Sequence, residues 1–340
     1  MITASSSARL TPVAASTSAD WRQLWREAVT DAGELLALLG LGHLAATLPI
    51  ADAGFAMRVP RGFVARMRHG DARDPLLLQV LPQLAERDQV AGFVHDAVGD
   101  LAARAAHGVL HKYHGRALLI ASGSCAINCR YCFRRHYPYA EDIAAAGQWR
   151  QALAHLRRDP SISELILSGG DPLALTTPKL AELSRGLVEL PQVTRLRIHT
   201  RLPVVLPERV DAPLLAWLEA LPLQKVMVLH ANHAQEFDAS VDVACARLRD
   251  AGVTLLNQSV LLRGVNDEVG TLAALSERLF AAGVLPYYLH QLDRVQGTAH
   301  FEVDDDRALA LMDGLRARLP GYLVPRLVRE VVGADAKRPV

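Results

Sequence analysis

The spacing of apolar residues changes near position 117. Upstream of it, the stretch 21-WRQLWREAVTDAGELLALLGL-41 places apolar residues at helical spacing until Gly40 ends the run. Turn-forming residues separate further short helices at Pro60, Gly70 and Pro82. We therefore predict a mainly helical N-terminal region, a helical cap over residues 21–110. The small and polar residues 1–20 are interpreted as a disordered leader.

Downstream of position 117, short apolar runs alternate with longer amphipathic ones. The runs typical of strands cover 117–122, 164–169, 194–200, 225–231, 254–262 and 284–292. Segments with helical spacing cover 143–158, 178–189, 209–220, 236–251, 267–282 and 303–318. Most strands begin roughly 30 residues apart, the length of a βαβ unit. This alternation predicts an α/β fold with a parallel sheet over residues 111–320, and its period fits an open sheet and a partial barrel equally well.

The predicted strands end in polar residues. The residues at these ends are Ser124–Cys132, Gly169–Asp171, His199–Arg201, His230–His233, Asn257–Gln258 and Gln291–Asp293. In parallel α/β folds the chemistry lies at the carboxyl ends of the strands. The recurrence of polar residues at all these ends therefore predicts one polar rim around a substrate site.

Composition and charge exclude several classes of protein. The chain is 50% hydrophobic, enough for a sizeable core, and its net charge of +1 gives no general attraction to nucleic acid or to anionic membranes. No apolar run approaches the roughly 18 residues of a membrane span, and the N-terminus lacks the apolar stretch of a secretory signal. We therefore expect a cytoplasmic protein with no nucleic-acid and no membrane partner. In that reducing compartment, clustered cysteines bind metals or do redox chemistry more often than they form disulfides.

Three of the four cysteines lie within eight positions. Cys125, Cys129 and Cys132 form a C-x3-C-x2-C motif just after the first predicted strand. Thiolates suit zinc, copper(I) and iron–sulfur clusters. With His136 as a fourth ligand, the motif makes a structural zinc site. With the three cysteines alone, it makes a cluster in which one iron is open to another ligand.

This motif, at the start of a six-unit core, resembles that of the radical S-adenosylmethionine (SAM) superfamily. In that superfamily three cysteines hold a [4Fe–4S] cluster, and the amino and carboxylate groups of SAM bind the open iron. The resemblance implies a partial (βα)6 barrel of the radical SAM type. The segment 168-SGGDPL-173 is similar to the superfamily's glycine-rich turn, which implies that Gly169, Gly170 and Asp171 lie against the methionine end of SAM.

Further motifs are similar to those of the lysine 2,3-aminomutase family, over roughly residues 74–340. They are 199-HTRLPVV-205, 230-HANH-233, 257-NQSVLLRGVND-267 and 286-PYYLHQLDRVQGTAHF-301. The C-terminal segment over residues 321–340 resembles the family's terminal strand, here near 323–331, and its pyridoxal phosphate (PLP) segment. The resemblance implies that Lys337 forms a Schiff base with PLP. Without it, the sequence indicates only a solvated lysine near a terminus.

The resemblance also implies the reaction. A radical derived from SAM removes the β-hydrogen of lysine, the amino group migrates while bound to PLP, and (S)-α-lysine becomes (R)-β-lysine. Arg134 matches the family position that binds the substrate carboxylate, a task suited to a planar guanidinium. Asp293 matches one acid for the distal ammonium, and Glu330 stands where the family has a second aspartate. Candidates for further cofactor contacts are His230 and Gln258 for SAM and Arg116 for the PLP phosphate.

Within the family, the chain resembles the branch that makes β-lysine for translation elongation factor P. The stretches 58–82 and 287–301 carry this likeness, and the chain stops three residues after Lys337 without the cysteine-bearing tail of longer members. The branch implies a functional link to elongation factor P and its lysyl ligase, with flavodoxin or ferredoxin as a reductant. The alternatives left open are a stand-alone metabolic amino-acid 2,3-aminomutase and a non-catalytic, zinc-binding α/β module. A radical enzyme that modifies RNA is disfavoured by the near-neutral charge.

Overall fold

The computed structural model describes residues 20–47, 55–147 and 149–340, and the predicted leader lies outside them except for Asp20. The described residues form a mixed α/β structure. Its strands are β1 (Arg104–Ala106), β2 (Val109–Tyr113), β3 (Arg116–Ser122), β4 (Glu164–Gly169), β5 (Arg195–Thr200), β6 (Gln224–Leu229), β7 (Val253–Val260), β8 (Leu285–His290), β9 (Arg326–Arg329) and β10 (Arg338–Pro339). Its helices are α1 (Trp21–Arg26), α2 (Ala32–Leu38), α3 (Arg61–Val64), α4 (Pro75–Leu78), α5 (Arg150–Arg158), α6 (Thr177–Leu187), α7 (Leu202–Val205), α8 (Ala212–Ala220), α9 (Ala239–Asp250), α10 (Val269–Ala281) and α11 (Asp305–Arg318).

These strands form one sheet, in which their order is their order along the chain. Strands β3 to β9 run parallel to one another. At one edge β1 and β2 pair antiparallel, and at the other β10 pairs antiparallel with β9. The predicted parallel sheet is therefore confirmed, and β3 to β8 occupy the six positions that the sequence indicates.

The apolar pattern of the strands follows from coverage on both faces. In β4, the sequence ELILSG is buried at every position after Glu164, because both faces of the strand lie inside the molecule. Three of the described helices that follow the parallel strands begin at aspartates, whose carboxylates accept hydrogen bonds from the first backbone N–H groups. These N-terminal caps are Asp211 of α8, Asp238 of α9 and Asp304 of α11.

The N-terminal region differs from its prediction as mainly helical. Its helices α1 to α4 span only four to seven residues each, and the region ends in the β1–β2 hairpin. Gly108 makes the hairpin turn at a φ of +66°, which favours glycine. A Cβ atom on Gly108 would lie 2.2 Å from the backbone nitrogen of Ala144. The helical prediction is thus wrong for residues 104–110, because a glycine turn packed against the core replaces a helix there.

The helix predicted over 143–158 is also shorter than expected. Helix α5 begins only at Arg150, after a 3-10 turn at Ala144–Gly147. Trp149 precedes it with a left-handed φ of 62° and is 1% exposed. Burial of the indole decides this backbone conformation against the local preference for a continuous helix.

The two ends of the sheet contact each other through side chains. Tyr113 on β2 donates a hydrogen bond of 2.5 Å from its hydroxyl to Glu330, the residue that follows β9. The contact joins positions 217 residues apart in the chain.

In the described part of the chain, no helix is both long enough and apolar enough to cross a membrane.

Candidate active site

A cavity of about 310 Å³ opens among the strands, and side chains from near both edges of the sheet line it. Each strand from β2 to β9 contributes either one of its own residues or the residue that follows it. All the site residues predicted from the sequence line this one cavity: Arg116, Cys125, Cys129, Cys132, Arg134, Gly169, Gly170, Asp171, His230, Gln258, Asp293, Glu330 and Lys337. The structure therefore brings together residues that lie more than 200 positions apart.

The cysteine loop, residues 123–136, is held by the N-terminal region. The backbone N–H of Arg130 donates to the carbonyl of Gln79 at 2.9 Å. Arg130 Nε and Arg135 Nη2 each donate to the buried carboxylate of Glu86, both at 2.8 Å. Burial raises the pKa of Glu86, but the two arginines outweigh it and leave that pKa below its ordinary value. Arg135 therefore anchors the loop.

Burial also governs the thiols of the loop. It raises the pKa of Cys125 well above its ordinary value and that of Cys132 to about 11, and the neighbouring thiols add to both shifts. Buried thiols give up their protons when a metal takes them, because the metal then supplies the compensating charge. The chemistry of this donor set fits a soft metal centre.

The loop does not make a site for one metal ion. Among the described residues, no three His, Cys, Asp or Glu side chains converge closely enough to hold a single ion. A [4Fe–4S] cluster does not need that convergence, because each cysteine binds a different iron of the cube. His136 does not line the cavity, and its Nε2 lies 3.1 Å from the carbonyl of Gln296. The structural zinc site with His136 as a fourth ligand is therefore not formed here.

Arg201, in the loop after β5, contacts the cysteine loop directly. Its Nη1 lies 2.7 Å from both Cys129 Sγ and the hydroxyl of Tyr131. Its Nη2 donates to Glu236 at 2.9 Å and to the side-chain oxygen of Gln79 at 2.7 Å. Burial alone would lower the pKa of Arg201, but Cys129, Tyr131 and Glu236 raise it well above its ordinary value. A positive charge is thus fixed beside one of the three cysteines.

The glycine-rich turn after β4 packs against the backbone of the cysteine loop. Gly169 has a φ of +118°, and a Cβ atom there would lie 2.5 Å from the carbonyl oxygen of Ser122. A Cβ atom on Gly170 would lie 2.7 Å from the carbonyl oxygen of Ser124. Only glycine permits these two backbones to approach so closely. The turn therefore sets the position of the loop that carries the thiols.

The carboxylate of Asp171 accepts hydrogen bonds from other groups of the protein. One oxygen accepts from the Thr200 hydroxyl at 2.7 Å and from the backbone N–H of Leu173 at 3.0 Å. The other accepts from the backbone N–H groups of Arg201 and Leu202, at 2.8 and 3.1 Å. Burial raises the pKa of Asp171 against these hydrogen bonds. Its side chain thus ties the glycine-rich turn to the segment that carries Arg201.

The middle of the cavity holds neutral polar groups. Burial lowers the pKa of His230 to about 3 and that of His199 well below its ordinary value. His230 Nε2 lies 3.4 Å from His199 Nδ1. The side-chain oxygen of Gln258 is buried and has no hydrogen-bond partner among the described residues. A buried acceptor without a partner is unfavourable, so it suits a ligand that donates a hydrogen bond.

Arg134 lies at the far side of the cysteine loop and is 7% exposed. Its Nε donates to Asp100 at 2.6 Å, and its Nη1 donates to the hydroxyl of Ser168 at 2.8 Å. Asp100 also pairs with Lys112, whose Nζ lies 2.7 Å away. Burial raises the pKa of Asp100, but the two cations outweigh it and lower that pKa. The guanidinium is thus fixed through two of its three nitrogens.

Lys337 is half-buried and points into the cavity from the segment before β10. Its Nζ lies 2.7 Å from His290 Nε2 and 3.9 Å from Glu330 Oε2. Burial lowers its pKa to about 8, while the attraction of Glu330 and Asp293 opposes that change. An amine with this pKa is partly neutral near pH 7, whereas an exposed lysine is not.

The two predicted acids flank Lys337. Burial raises the pKa of Asp293 to about 7, although the charge of Lys337 opposes this rise. Glu330 accepts the hydrogen bond from Tyr113 and lies 3.5 Å from Lys112 Nζ. Because Tyr113 and Lys112 engage one oxygen, Oε1, the other oxygen is the one nearest to Lys337. Arg116, at the start of β3, lies over the ring of Tyr113 at 4.6 Å.

Sequence reasoning missed several residues of this site: Asp100, Lys112, Tyr113, Arg197 and His290. Arg201 belongs to the predicted polar rim, without an individual role, and His290 directly precedes the predicted polar end Gln291–Asp293. Asp100, Lys112 and Tyr113 come from the region interpreted as helical or from its boundary, where no pattern indicates a site.

Comparison with known proteins identifies relatives over almost the whole chain. Residues 114–193 match the family described as a 4Fe-4S single cluster domain. The chain is 48% identical over 323 residues to the L-lysine 2,3-aminomutase of Escherichia coli K12, covering 94% of each protein. It is 44% identical over 319 residues to the L-lysine 2,3-aminomutase of Haemophilus influenzae, again covering 94% of each.

A radical SAM methyltransferase from Sphaerobacter thermophilus is structurally similar at a TM-score of 0.47 and 16% identity, covering 65% of this chain and 68% of that one. That TM-score is too low to bear on function. The identity to the two aminomutases is decisive, because it covers 94% of the chain and 94% of each relative. The chain therefore belongs to the L-lysine 2,3-aminomutase family, radical SAM isomerases that carry a 4Fe–4S cluster and act by amino-group transfer.

Proposed function

We propose that this chain converts (S)-α-lysine into (R)-β-lysine in the described cavity, with PLP carried by Lys337 in addition to the cluster and SAM. The observation that carries the proposal is that the amine of Lys337 shares one cavity with the three cysteines and two carboxylates. A lysine must react as the free amine to bind an aldehyde, and burial lowers the pKa of Lys337 to about 8.

SAM with the cluster supplies a carbon radical that removes an unactivated hydrogen, and PLP supplies an electrophilic carbon for the migrating nitrogen. The net reaction moves an amino group from Cα to Cβ and a hydrogen from Cβ to Cα, so it consumes no oxidant. Arg134 binds the substrate carboxylate through the nitrogen that Asp100 and Ser168 do not use. Asp293 and Glu330 bind the distal ammonium, and their paired charge rejects an acidic substrate such as glutamate.

Further residues are assigned to the cofactors. The backbone of Gly169 and Gly170 borders the methionine end of SAM, and Asp171 holds that turn in place. Gln258 accepts a hydrogen bond from SAM with its otherwise unpaired oxygen, and neutral His230 lies beside it. The phosphate of PLP is assigned to Arg116, a cation that lines the same cavity.

We also propose the cellular role and the finer fold. The sheet is assigned as a partial (βα)6 barrel, which is supported by the contact between Tyr113 and Glu330 across its ends. The product serves the β-lysylation of elongation factor P by a separate lysyl ligase in the cytoplasm, with flavodoxin or ferredoxin as reductant. The stretches 58–82 and 287–301, which resemble that branch of the family, support this role.

The decisive experiment is an anaerobic assay of the reconstituted protein with lysine, SAM, PLP and a reductant, with α- and β-lysine resolved. We expect β-lysine to form, and we expect borohydride to fix PLP to Lys337. Lys337→Ala should abolish both while retaining the cluster. Lys179→Ala is the matched control, because Lys179 pairs with Glu182 on α6, away from the cavity.

The outcomes separate the parts of the proposal. SAM cleavage without β-lysine would refute lysine as the substrate. PLP fixed to a lysine other than Lys337 would refute the assignment of the carrier. The cellular role is tested by mass spectrometry of elongation factor P from cells without this chain, where persistent β-lysylation would contradict it.

A further inference from the structure

The nearest polar partner of the Lys337 amine is an imidazole. His290, the last residue of β8, is 4% exposed, and its Nε2 lies 2.7 Å from Lys337 Nζ. The next nearest polar partner among the ion pairs is Glu330 Oε2 at 3.9 Å, beyond hydrogen-bond distance. His290 thus sits closer to the amine than either carboxylate that faces it.

An imidazole and a carboxylate have different effects on a lysine amine. A carboxylate only accepts hydrogen bonds, so it stabilises the charged ammonium and holds the nitrogen lone pair protonated. A neutral imidazole accepts from the ammonium in one tautomer and donates to the free amine in the other. A neutral imidazole can therefore donate to the lone pair of the free amine, which an ionised carboxylate cannot do.

We propose that His290 is the positioning residue for Lys337: it holds the amine in its free, nucleophilic form and away from Glu330. This inference rests on the proposed role of Lys337 as the PLP carrier and explains how that lysine stays reactive between two acids. Each turnover exchanges the amine of Lys337 for that of the substrate, so the released amine needs a partner that accepts it in either state.

The surrounding charges support this role. The titratable and charged groups that face Lys337 are Glu330, Asp293, Arg197, Lys112, Tyr288, His199 and His230, and Tyr288 and His230 also lie beside His290. Burial and the charge of Lys337 lower the pKa of His290 well below its ordinary value, so the imidazole is neutral near pH 7. A neutral His290 adds no repulsion to Lys337 and leaves its free-amine form accessible.

The small number of lysines makes a direct test feasible. The chain has four, Lys112, Lys179, Lys225 and Lys337. Trace acetic anhydride labelling of the full chain with its cluster, before PLP is added, reports the free-amine fraction of each lysine by mass spectrometry as pH is varied. Lys179 and Lys225 serve as internal references, because neither lines the cavity.

We expect the labelling of Lys337 to rise with a midpoint near the pKa of about 8 in the native protein. His290→Leu fills the volume but offers no hydrogen bond, so Lys337 should pair with Glu330 and its midpoint should rise by about one unit, a tenfold loss of free amine at pH 7. His290→Gln, whose amide donates and accepts, should restore the low midpoint. If His290→Leu does not fold, His290→Asn is measured instead, because its shorter side chain withdraws the amide from Lys337.

An unchanged midpoint in His290→Leu, or an equal rise in His290→Gln, would overturn the proposal. A merely structural role predicts that the two variants behave alike and that labelling of Lys225 changes as well. Failure of the proposed function is distinguishable: in that case borohydride does not fix PLP to Lys337 in the native protein, whatever the labelling midpoint is.

Discussion

At the scale of single residues, burial sets the direction of the pKa shift for five groups in this cavity. It raises the pKa values of Cys125, Cys132 and Asp293, and it lowers those of His230 and Lys337. Each shift disfavours the charged form of a group whose contact with water is reduced. These five groups therefore favour their neutral forms until a cofactor or substrate supplies a partner, as is common at functional sites.

The cysteines provide the first test of this view. Replacing any one of Cys125, Cys129 or Cys132 by Ala should abolish the brown chromophore, bound iron and SAM cleavage, because a cluster with one open iron has no spare ligand. Cys245→Ala is the control, since Cys245 is fully buried in α9, outside the cavity. Iron and acid-labile sulfide analysis measures the result, and a full complement of iron in a Cys129 variant would contradict the assignment.

Asp293 should make stability depend on pH. Its pKa is about 7 in the folded protein and roughly 3.9 in an unfolded chain, so between these values the folded state holds a proton that the unfolded state has released. Stability contributed by this group therefore falls as pH rises through that window. Asp293→Asn cannot ionise, and it should raise the melting temperature at pH 8 while leaving it nearly unchanged at pH 4.

The matched control for this prediction is Asp306→Asn, on the exposed first turn of α11. It should change the melting temperature only slightly at either pH. A difference between Asp293→Asn and the native protein that does not vary with pH would show that Asp293 remains ionised in the folded state.

At the scale of elements, the shortest strand secures the proposed PLP lysine. Strand β10 follows Lys337 directly and pairs with β9 through Pro339 and Val328. Val340 packs against the apolar cluster formed by α11 and β9. Strand β10 and the apolar contact of Val340 hold the segment that carries Lys337. Packing therefore orders this segment although the strand is only two residues long.

This anchoring predicts a separation of effects. Val340→Asp places a charge in an apolar cluster, so it should release the segment and weaken PLP binding by at least tenfold while the cluster stays intact. Val188→Asp is the control, because Val188 is already 64% exposed at the end of α6. PLP titration and hydrogen exchange over residues 336–340 measure the result, and unchanged exchange in Val340→Asp would refute the anchor.

At the scale of the whole molecule, one network of polar side chains connects the N-terminal region, the cysteine loop and the C-terminal segment. It runs from Arg134 through Asp100 and Lys112 to Glu330, which also accepts from Tyr113. This network joins the two proposed subsites for the substrate, one for its carboxylate and one for its ammonium. The hydrogen bond between Tyr113 and Glu330 therefore helps to set the separation of the two subsites.

Tyr113→Phe tests the contribution of the Tyr113–Glu330 hydrogen bond to substrate binding. Loss of a hydrogen bond to a charged group costs about 1.5–3 kcal/mol. Glu330 should become less well ordered, so we expect the KM for lysine to rise about tenfold or more with a smaller change in kcat. Tyr322→Phe is the control, since Tyr322 is 62% exposed. A Tyr113→Phe enzyme that binds lysine as tightly as the native one would separate Glu330 from substrate binding.

The sequence by itself determined the parts that depend on local pattern. Period and length predict β3 to β8 and the parallel sheet, because short apolar runs that alternate with helical segments at the length of a βαβ unit favour parallel strands. The spacing of Cys125, Cys129 and Cys132 predicts a metal site, because these ligands are close in the chain. Polar strand ends predict a rim, because parallel strands end at one edge of a sheet.

Only the tertiary structure decided the rest. It replaced a predicted helix with the β1–β2 hairpin, because packing of Gly108 against Ala144 outweighs local helical spacing. It brought His290 to Lys337 and Tyr113 to Glu330, contacts across 47 and 217 positions that no short pattern encodes. The shifted pKa values follow from the same cause: burial is a property of the folded chain, and the residue order contains it only through the fold.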